Sequence, residues 1–335
     1  MLNFEGTAAM SRYAHRQVKT LLLSPIKYME QITVIIPLCN IGDSTYKYRV
    51  DALNYCLEHF YSKQLGVDLK VIIAEQIIDH AYTSFIPKYS LNEFMNNNFT
   101  YNNICNPNFN KAWMYNCAVN KCDTDHIVFT ESEMFSTDKY YFKKLIDKII
   151  ENEFVWAIGW NKLNFLTEES SYRMIENSGH IFESKQIEFK DGDNEGGFVY
   201  FNKSFYKKIG MANELMNGLG RIDNELACRA TWASGEKYIH DAEVFHLYHP
   251  KSKINNDKLR DINIKKYEIV KERPLIVNKY LASQEQGNIF YPLCDRIKYS
   301  PELFYKDEDK KLILIKKQEK QKEMIKRVRE KRKKK

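Results

Sequence analysis

Apolar residues along this chain fall into two kinds of run, and the two kinds alternate. Gln31-Ile-Thr-Val-Ile-Ile-Pro37 is β-branched and closed by proline, which predicts a strand. Over 49–61, Val50, Leu53, Leu57 and Phe60 recur at helical spacing. Residues 69–76 predict a second strand that ends on an acid, Glu75. The stretch 96–110 is polar and reads as a loop. A helix over 111–121 then leads into a strand over 127–130.

The same punctuation continues downstream. A helix is predicted over 138–150, with Leu145, Ile146, Ile149 and Ile150 on one side, followed by a strand over 154–158. Residues 161–195 are polar and carry no clear period. Paired glycines open a strand over 196–201, a short helix runs through Ile209, and Gly218-Leu-Gly220 precedes a helix over 223–234. A last strand over 238–247 ends in two histidines, and a helical arm follows from about residue 255 through Arg273-Pro274. Strand–helix alternation of this kind implies an α/β fold with a mainly parallel central sheet. The organisation expected is an extension (1–29, with a short basic helix over 8–23), a principal domain (30–254), a helical C-terminal arm (255–309) and a basic tail (310–335).

Composition changes this picture in three respects. With 335 residues, 44% hydrophobic, the chain can bury a substantial core. The net charge is +7, but 310–335 holds 14 Lys/Arg against three Glu, so the remainder is slightly acidic. The principal domain is therefore no basic nucleic-acid platform. Seven cysteines with no CxxC pair read as buried reduced thiols rather than a disulfide framework. No apolar run reaches the length of about 18 residues that a membrane span needs. Thr20-Leu-Leu-Leu23 is too short for a signal-peptide core, which predicts a cytoplasmic location with peripheral membrane contact left open.

Three clusters could carry chemistry. In Ile127-Val-Phe-Thr-Glu131-Ser-Glu133, an apolar strand runs into two carboxylates one residue apart. If the strand continues, both point the same way and offer hard oxygen ligands for Mg²⁺ or Mn²⁺. The competing reading has them charging the N-terminus of the next helix. Asp223 follows a Gly-rich loop, either as an ordinary N-cap or with its carboxylate aimed into a cleft. His246 and His249, at a strand end, read either as hydrogen-bonded core histidines or as ligands completing a metal site. No dinucleotide fingerprint (GxGxxG) is present, which counts against a dehydrogenase, and no P-loop, GxSxG or HExxH pattern occurs.

Taken in order, these segments resemble inverting glycosyltransferases of the GT-A fold, particularly the chondroitin-polymerase and β-galactosyltransferase-like branch, over roughly residues 31–250. Thr33-Val-Ile-Ile-Pro37 looks like that family's opening strand, and Ile73-Ala-Glu75-Gln76 like its second-strand EQ signature. Phe109-Asn110-Lys111-Ala112, with Asn116 beyond, is similar to the FNRA helix start beside the nucleotide. Glu131-Ser-Glu133 stands where the family has its DxD metal motif. The segment from Gly197 to Glu214 resembles the strand and stretch before the acceptor loop. Gly218-Leu-Gly220-Arg-Ile-Asp223-Asn-Glu225-Leu resembles GWGxEDxEL, and His246-Leu-Tyr-His249-Pro the closing histidine motif. Four positions depart: Glu131 and Glu133 for the acids of DxD, Leu219 for Trp, and Ile222 for the first acid of the ED pair.

The resemblance implies a GT-A (Rossmann-like) fold and a nucleotide-sugar donor, UDP-linked. It implies Mn²⁺ or Mg²⁺ held by Glu133 and His246 with help from Glu131 and His249, and Asp223 as the base. Pro37, Glu75, Lys111, Glu131 and Gly197 would line the donor. A glycan is the implied acceptor. The tail leaves open a membrane-docked acceptor, modified DNA as acceptor, or a solvated terminus. The altered metal motif and Ile222 also motivate a degenerate family member serving as a binding scaffold.

Overall fold

The computed structural model describes residues 29–40, 44–77, 97–102, 109–177, 183–190, 195–218, 220–250, 257–288 and 292–297. The expectations for the extension up to residue 28, Cys105, Leu219 and the basic tail lie outside these. Contacts divide the chain between Glu30 and Gln31, and the architecture below is that of the second unit.

A seven-stranded sheet forms the centre. Its spatial order is β10 (Tyr238–Ile239), β6 (Trp156–Ile158), β9 (Val199–Asn202), β4 (His126–Phe129), β1 (Gln31–Asn40), β2 (Asp68–Ile77) and β3 (Asn97–Asn102). β1 is parallel to both β2 and β4, β2 to β3, and β6 to β10, whereas β9 runs antiparallel to β4 and β6. The mainly parallel α/β sheet read from the sequence is thus present. Ile32, Val34, Ile35 and Ile36 of β1 are all fully buried, as a strand covered on both faces requires.

Four segments depart from expectation. The polar stretch 96–110 contains edge strand β3, held by register to β2 rather than by an apolar pattern of its own. The unassigned region 161–195 holds β7 (Lys162–Leu166), the helix Glu168–Asn177 and β8 (Ser184–Glu188). The single strand expected over 238–247 is two: β10 joins the large sheet, and β11 (Glu243–His246) a second one. The break falls at His240-Asp241-Ala242, where the Ala242 N–H turns back to the His240 carbonyl. Finally, the helix expected over 138–150 begins later, as Tyr141–Asn152, because the Asp138 side chain accepts from Tyr140 N and builds a turn.

The second sheet has the order β5 (Met134–Phe135), β11, β7, β8. It decides where the histidines go. β11 pairs antiparallel with β5, so His246 faces Met134, and the Leu247 N–H bonds the Glu133 carbonyl at 2.9 Å. Helices Asp257–Glu272 and Pro274–Ala282 pack on the helix Ile222–Ser234, where Leu215, Val270, Val277, Leu281 and Leu293 form a small second core. Among the described residues no helix is long and apolar enough to cross a membrane. Cys56, Cys117 and Cys122 are buried, and no disulfide joins any two of the six described cysteines.

Candidate active site

The two glutamates lie past the end of β4, in a turn closed by the Met134 N–H on the Glu131 carbonyl. The alternation of an extended strand, expected from the sequence, therefore does not aim them. They nonetheless converge: His246 Nε2 stands 3.8 Å from Glu131 Oε2 and 3.7 Å from Glu133 Oε1. Neither acid charges the following helix; their partners are cations from elsewhere in the chain.

Glu133 is fully buried. Arg49, on the helix Ser44–His59, donates to it from Nη1 at 2.9 Å, Ser132 Oγ donates to its other oxygen, and His249 Nε2 lies 2.9 Å away. Burial would raise its pKa, but Arg49 and His249 outweigh that and hold the carboxyl down to about 2. His249 Nδ1 is 2.9 Å from the Pro250 carbonyl and must be its donor. Nε2 then faces a Glu133 carboxylate oxygen at 2.9 Å and Arg49 Nη2 at 3.3 Å.

Lys111 opens the helix Lys111–Lys121, whose N-cap Asn110 accepts from Trp113 N at 3.0 Å. That cap aims Lys111 inward. Its ammonium is buried, donating to Glu131 Oε1 at 2.9 Å and Asp223 Oδ2 at 3.1 Å. Burial lowers its pKa, yet Asp223 and Glu131 prevail and hold it well above the usual lysine value. Lys111 in turn holds Glu131 well below the ordinary carboxylate range. For His246, burial pushes the imidazole down, but the nearby Glu131 and Glu133 carboxylates lift it above its ordinary value.

Asp223 is not an N-cap. Arg221 occupies that position at φ 61°, and Asp223 lies inside the first turn of the helix, where the dipole favours an acid. Gly196 leaves room beside it: a Cβ there would stand 3.1 Å from Asp223 Oδ2. Gly197 (φ 88°) is fixed more tightly, since a Cβ would lie 2.9 Å from Met134 Cε and from Trp160 Nε1.

Two small cavities meet at Glu131 and Asp223. One, of 110 Å³, is also lined by Pro37, Phe109 and three cations, Arg49, Lys111 and Arg221. The other, of 160 Å³, is lined by Gly196, Gly197, His246, Glu195 and Asn224. Pro37, Lys111, Glu131, Gly197, Asp223 and His246 thus come together around this cleft, with Glu133 and His249 just behind it. Glu75 does not line it: wholly buried on β2, it accepts from Tyr46 Oη at 2.6 Å. Asn116, read as neighbouring a nucleotide, is also wholly buried, bonding the Ala212 carbonyl, Glu214 and Tyr206. Glu225 is structural too, ion-paired with buried Arg229. Arg49 carries no sequence signal of a site, being a lone cation without a motif, whereas Arg221 stands at an unspecified position of the segment that resembles GWGxEDxEL.

Glu133 Oε1, His246 Nε2 and His249 Nε2 fit a divalent cation as a donor set, their ligand atoms lying within 4.8 Å of one another. Two imidazoles with a carboxylate suit Mn²⁺ better than Mg²⁺, which favours oxygen donors.

No protein-family model matches the chain, and no curated protein matches its sequence. Several solved structures are similar. S. aureus TarS 1-349 in complex with UDP is 12% identical, with 76% of this chain and 67% of that chain covered, at a TM-score of 0.43. The mannosyltransferase PcManGT from Pyrobaculum calidifontis, in complex with GDP-Man and Mn²⁺, is 12% identical over 82% of this chain and 72% of that chain, TM-score 0.43. GalNAc-T7 with UDP, GalNAc and Mn²⁺ is 10% identical over 73% and 51%, TM-score 0.46.

Proposed function

We propose that the protein is a metal-dependent inverting glycosyltransferase of the GT-A type, moving a hexose from a UDP-sugar to an acceptor hydroxyl on a glycan. One observation carries the reading: carboxylates, imidazoles and a buried ammonium from distant segments meet at one cleft, with Lys111 bridging Glu131 and Asp223.

The two cavities divide the labour. Arg49, Lys111 and Arg221 give the first a positive wall suited to a diphosphate. Glu133, His246 and His249, with Glu131 beside them, would hold the cation; when bound, it neutralises charge developing on the departing nucleotide. The second cavity receives the acceptor, and Asp223, which lines both, takes the proton from its hydroxyl. A single displacement from the opposite face needs no protein nucleophile, so the anomeric centre inverts. Lys111 donates to Asp223 at 3.1 Å, and it can turn from the carboxylates to a phosphate oxygen as the donor enters.

A scaffold without catalysis is the second reading. It is favoured by Arg49 and Lys111, which already neutralise the acids with no cation added. A screen of UDP-sugars by UDP release, with Mn²⁺, with Mg²⁺ and with EDTA, separates the two. The enzyme reading expects turnover of at least one donor with Mn²⁺ and its loss in EDTA. No turnover of any donor, together with no Mn²⁺-dependent UDP binding by calorimetry, would leave the scaffold.

A further inference from the structure

A further cavity lies away from the cleft. It measures 690 Å³, within the rough 300–1,000 Å³ range of small-ligand sites, and shares no lining residue with either cavity at Asp223. The helices Ser44–His59 and Glu168–Asn177 form its sides.

Three tyrosines define it. Tyr48 and Tyr248 meet edge to face, ring centres 6.3 Å apart at 82°, and Tyr48 Oη donates to Glu168 at 3.1 Å. Their rings are thereby fixed before any ligand arrives. Tyr172 stands 61% exposed on the second helix. The floor is closed where Ser171 Oγ accepts from Tyr248 N at 2.7 Å. The charged lining is one-sided, with Asp51, Glu168, Glu169 and Glu176 against Lys47.

We propose that this cavity is a saccharide-binding site for an oligosaccharide of neutral or amino sugars, separate from the sugar-transfer cleft. Rigid tyrosine rings offer flat apolar faces to the C–H faces of pyranose rings, with a polar tip left for hydrogen bonding. Carboxylates accept hydrogen bonds from hydroxyl or ammonium groups, the arrangement a sugar presents around its edge. The acidic excess repels uronates, sialic acids, phosphates and nucleotides. A concave site of this volume, walled by aromatics, suits a short saccharide better than an extended basic peptide. Tyr48 and Tyr248 each adjoin in sequence a residue of the metal-side cluster, Arg49 and His249.

The site stands or falls by binding, whether or not sugar transfer occurs. The full chain would be titrated by calorimetry and saturation-transfer NMR, without donor or metal. The probes are maltotetraose, chitotetraose, N-acetylchitotetraose, a uronate-containing tetrasaccharide and tetralysine. At least one neutral or amino tetrasaccharide should bind, Tyr172→Ala should weaken it at least tenfold, and Asp223→Asn should leave it unchanged. Circular dichroism of Tyr172→Ala should match the wild type, as befits a surface position. The proposal is overturned if none of the neutral or amino sugars binds, if the uronate binds equally well, or if only tetralysine binds. Loss of binding in Asp223→Asn but not in Tyr172→Ala would place the sugar in the transfer cleft instead.

Discussion

Lys111 Nζ lies 3.1 Å from Asp223 Oδ2, joining residues 112 positions apart. The lysine opens one helix and the aspartate lies in the first turn of another, so two helix starts point at one point in the cleft. Glu131 completes the contact at 2.9 Å from the same ammonium.

Asp223→Asn removes the proposed proton acceptor and retains the shape. Transfer should fall by about 10²–10⁴-fold, the usual worth of a general base, while Mn²⁺-dependent UDP binding stays within a few fold. Initial rates and calorimetry on the same preparation check both halves. Transfer at near wild-type rate would mean that another group takes the proton.

His246→Ala and His249→Ala each delete one imidazole from the donor set around Glu133. Each should weaken Mn²⁺ binding by roughly tenfold or more, read by electron paramagnetic resonance of free Mn²⁺ without substrate. If only one variant does so, the other histidine serves to hold Glu133 rather than the ion.

The strongly periodic parts of this architecture are legible in the chain. β1, β2, β4 and the helix Lys111–Lys121 are apolar runs with clear ends, and burial on both faces enforces them. β3 is not legible, because Asn97–Asn102 owes its strand to pairing with β2 rather than to its own residues. At the site, the acids and histidines can be picked out by type and order. Strand alternation is the wrong reason for the convergence of Glu131 and Glu133, since a turn brings them together. Arg49 escapes sequence reading altogether: one arginine on an amphipathic helix looks like solvated surface until the fold sets it 2.9 Å from a buried carboxylate.

Arg229 and Glu225 form a wholly buried ion pair, with Nε to Oε1 at 2.8 Å. The guanidinium also donates to the Ile209 and Met211 carbonyls, both at 2.7 Å, and to Asn278 Oδ1 at 3.0 Å. It thereby ties the helix bearing Asp223 to the C-terminal helices. Arg229→Met leaves a buried carboxylate uncompensated and should cost about 3–5 kcal/mol in urea unfolding. Adding Glu225→Leu should recover part of that loss. A single variant as stable as the wild type would show that the pair contributes no net stability.

His240 gives a pH dependence away from the cleft. Burial pushes its imidazole down to about 4, against the opposing pull of Asp241 and Asp138 and with a smaller push from Lys144. The neutral ring is packed edge to face on Tyr141 and lies 3.2 Å from Tyr238 Oη. Above pH 6.5 neither the folded nor the unfolded state protonates it, so it contributes nothing to pH dependence. Between 6.5 and 4 the unfolded chain takes up the proton and the folded protein does not, so stability falls as pH falls. The full loss is about 3 kcal/mol, because each tenfold weakening of proton affinity on folding is worth roughly 1.4 kcal/mol. Urea unfolding of the wild type and His240→Gln at pH 7 and pH 4.5 isolates this group from the other titrating residues. The wild type should lose roughly 2 kcal/mol more than the variant between the two pH values. Equal losses would show that His240 protonates as readily in the folded protein as in the unfolded chain.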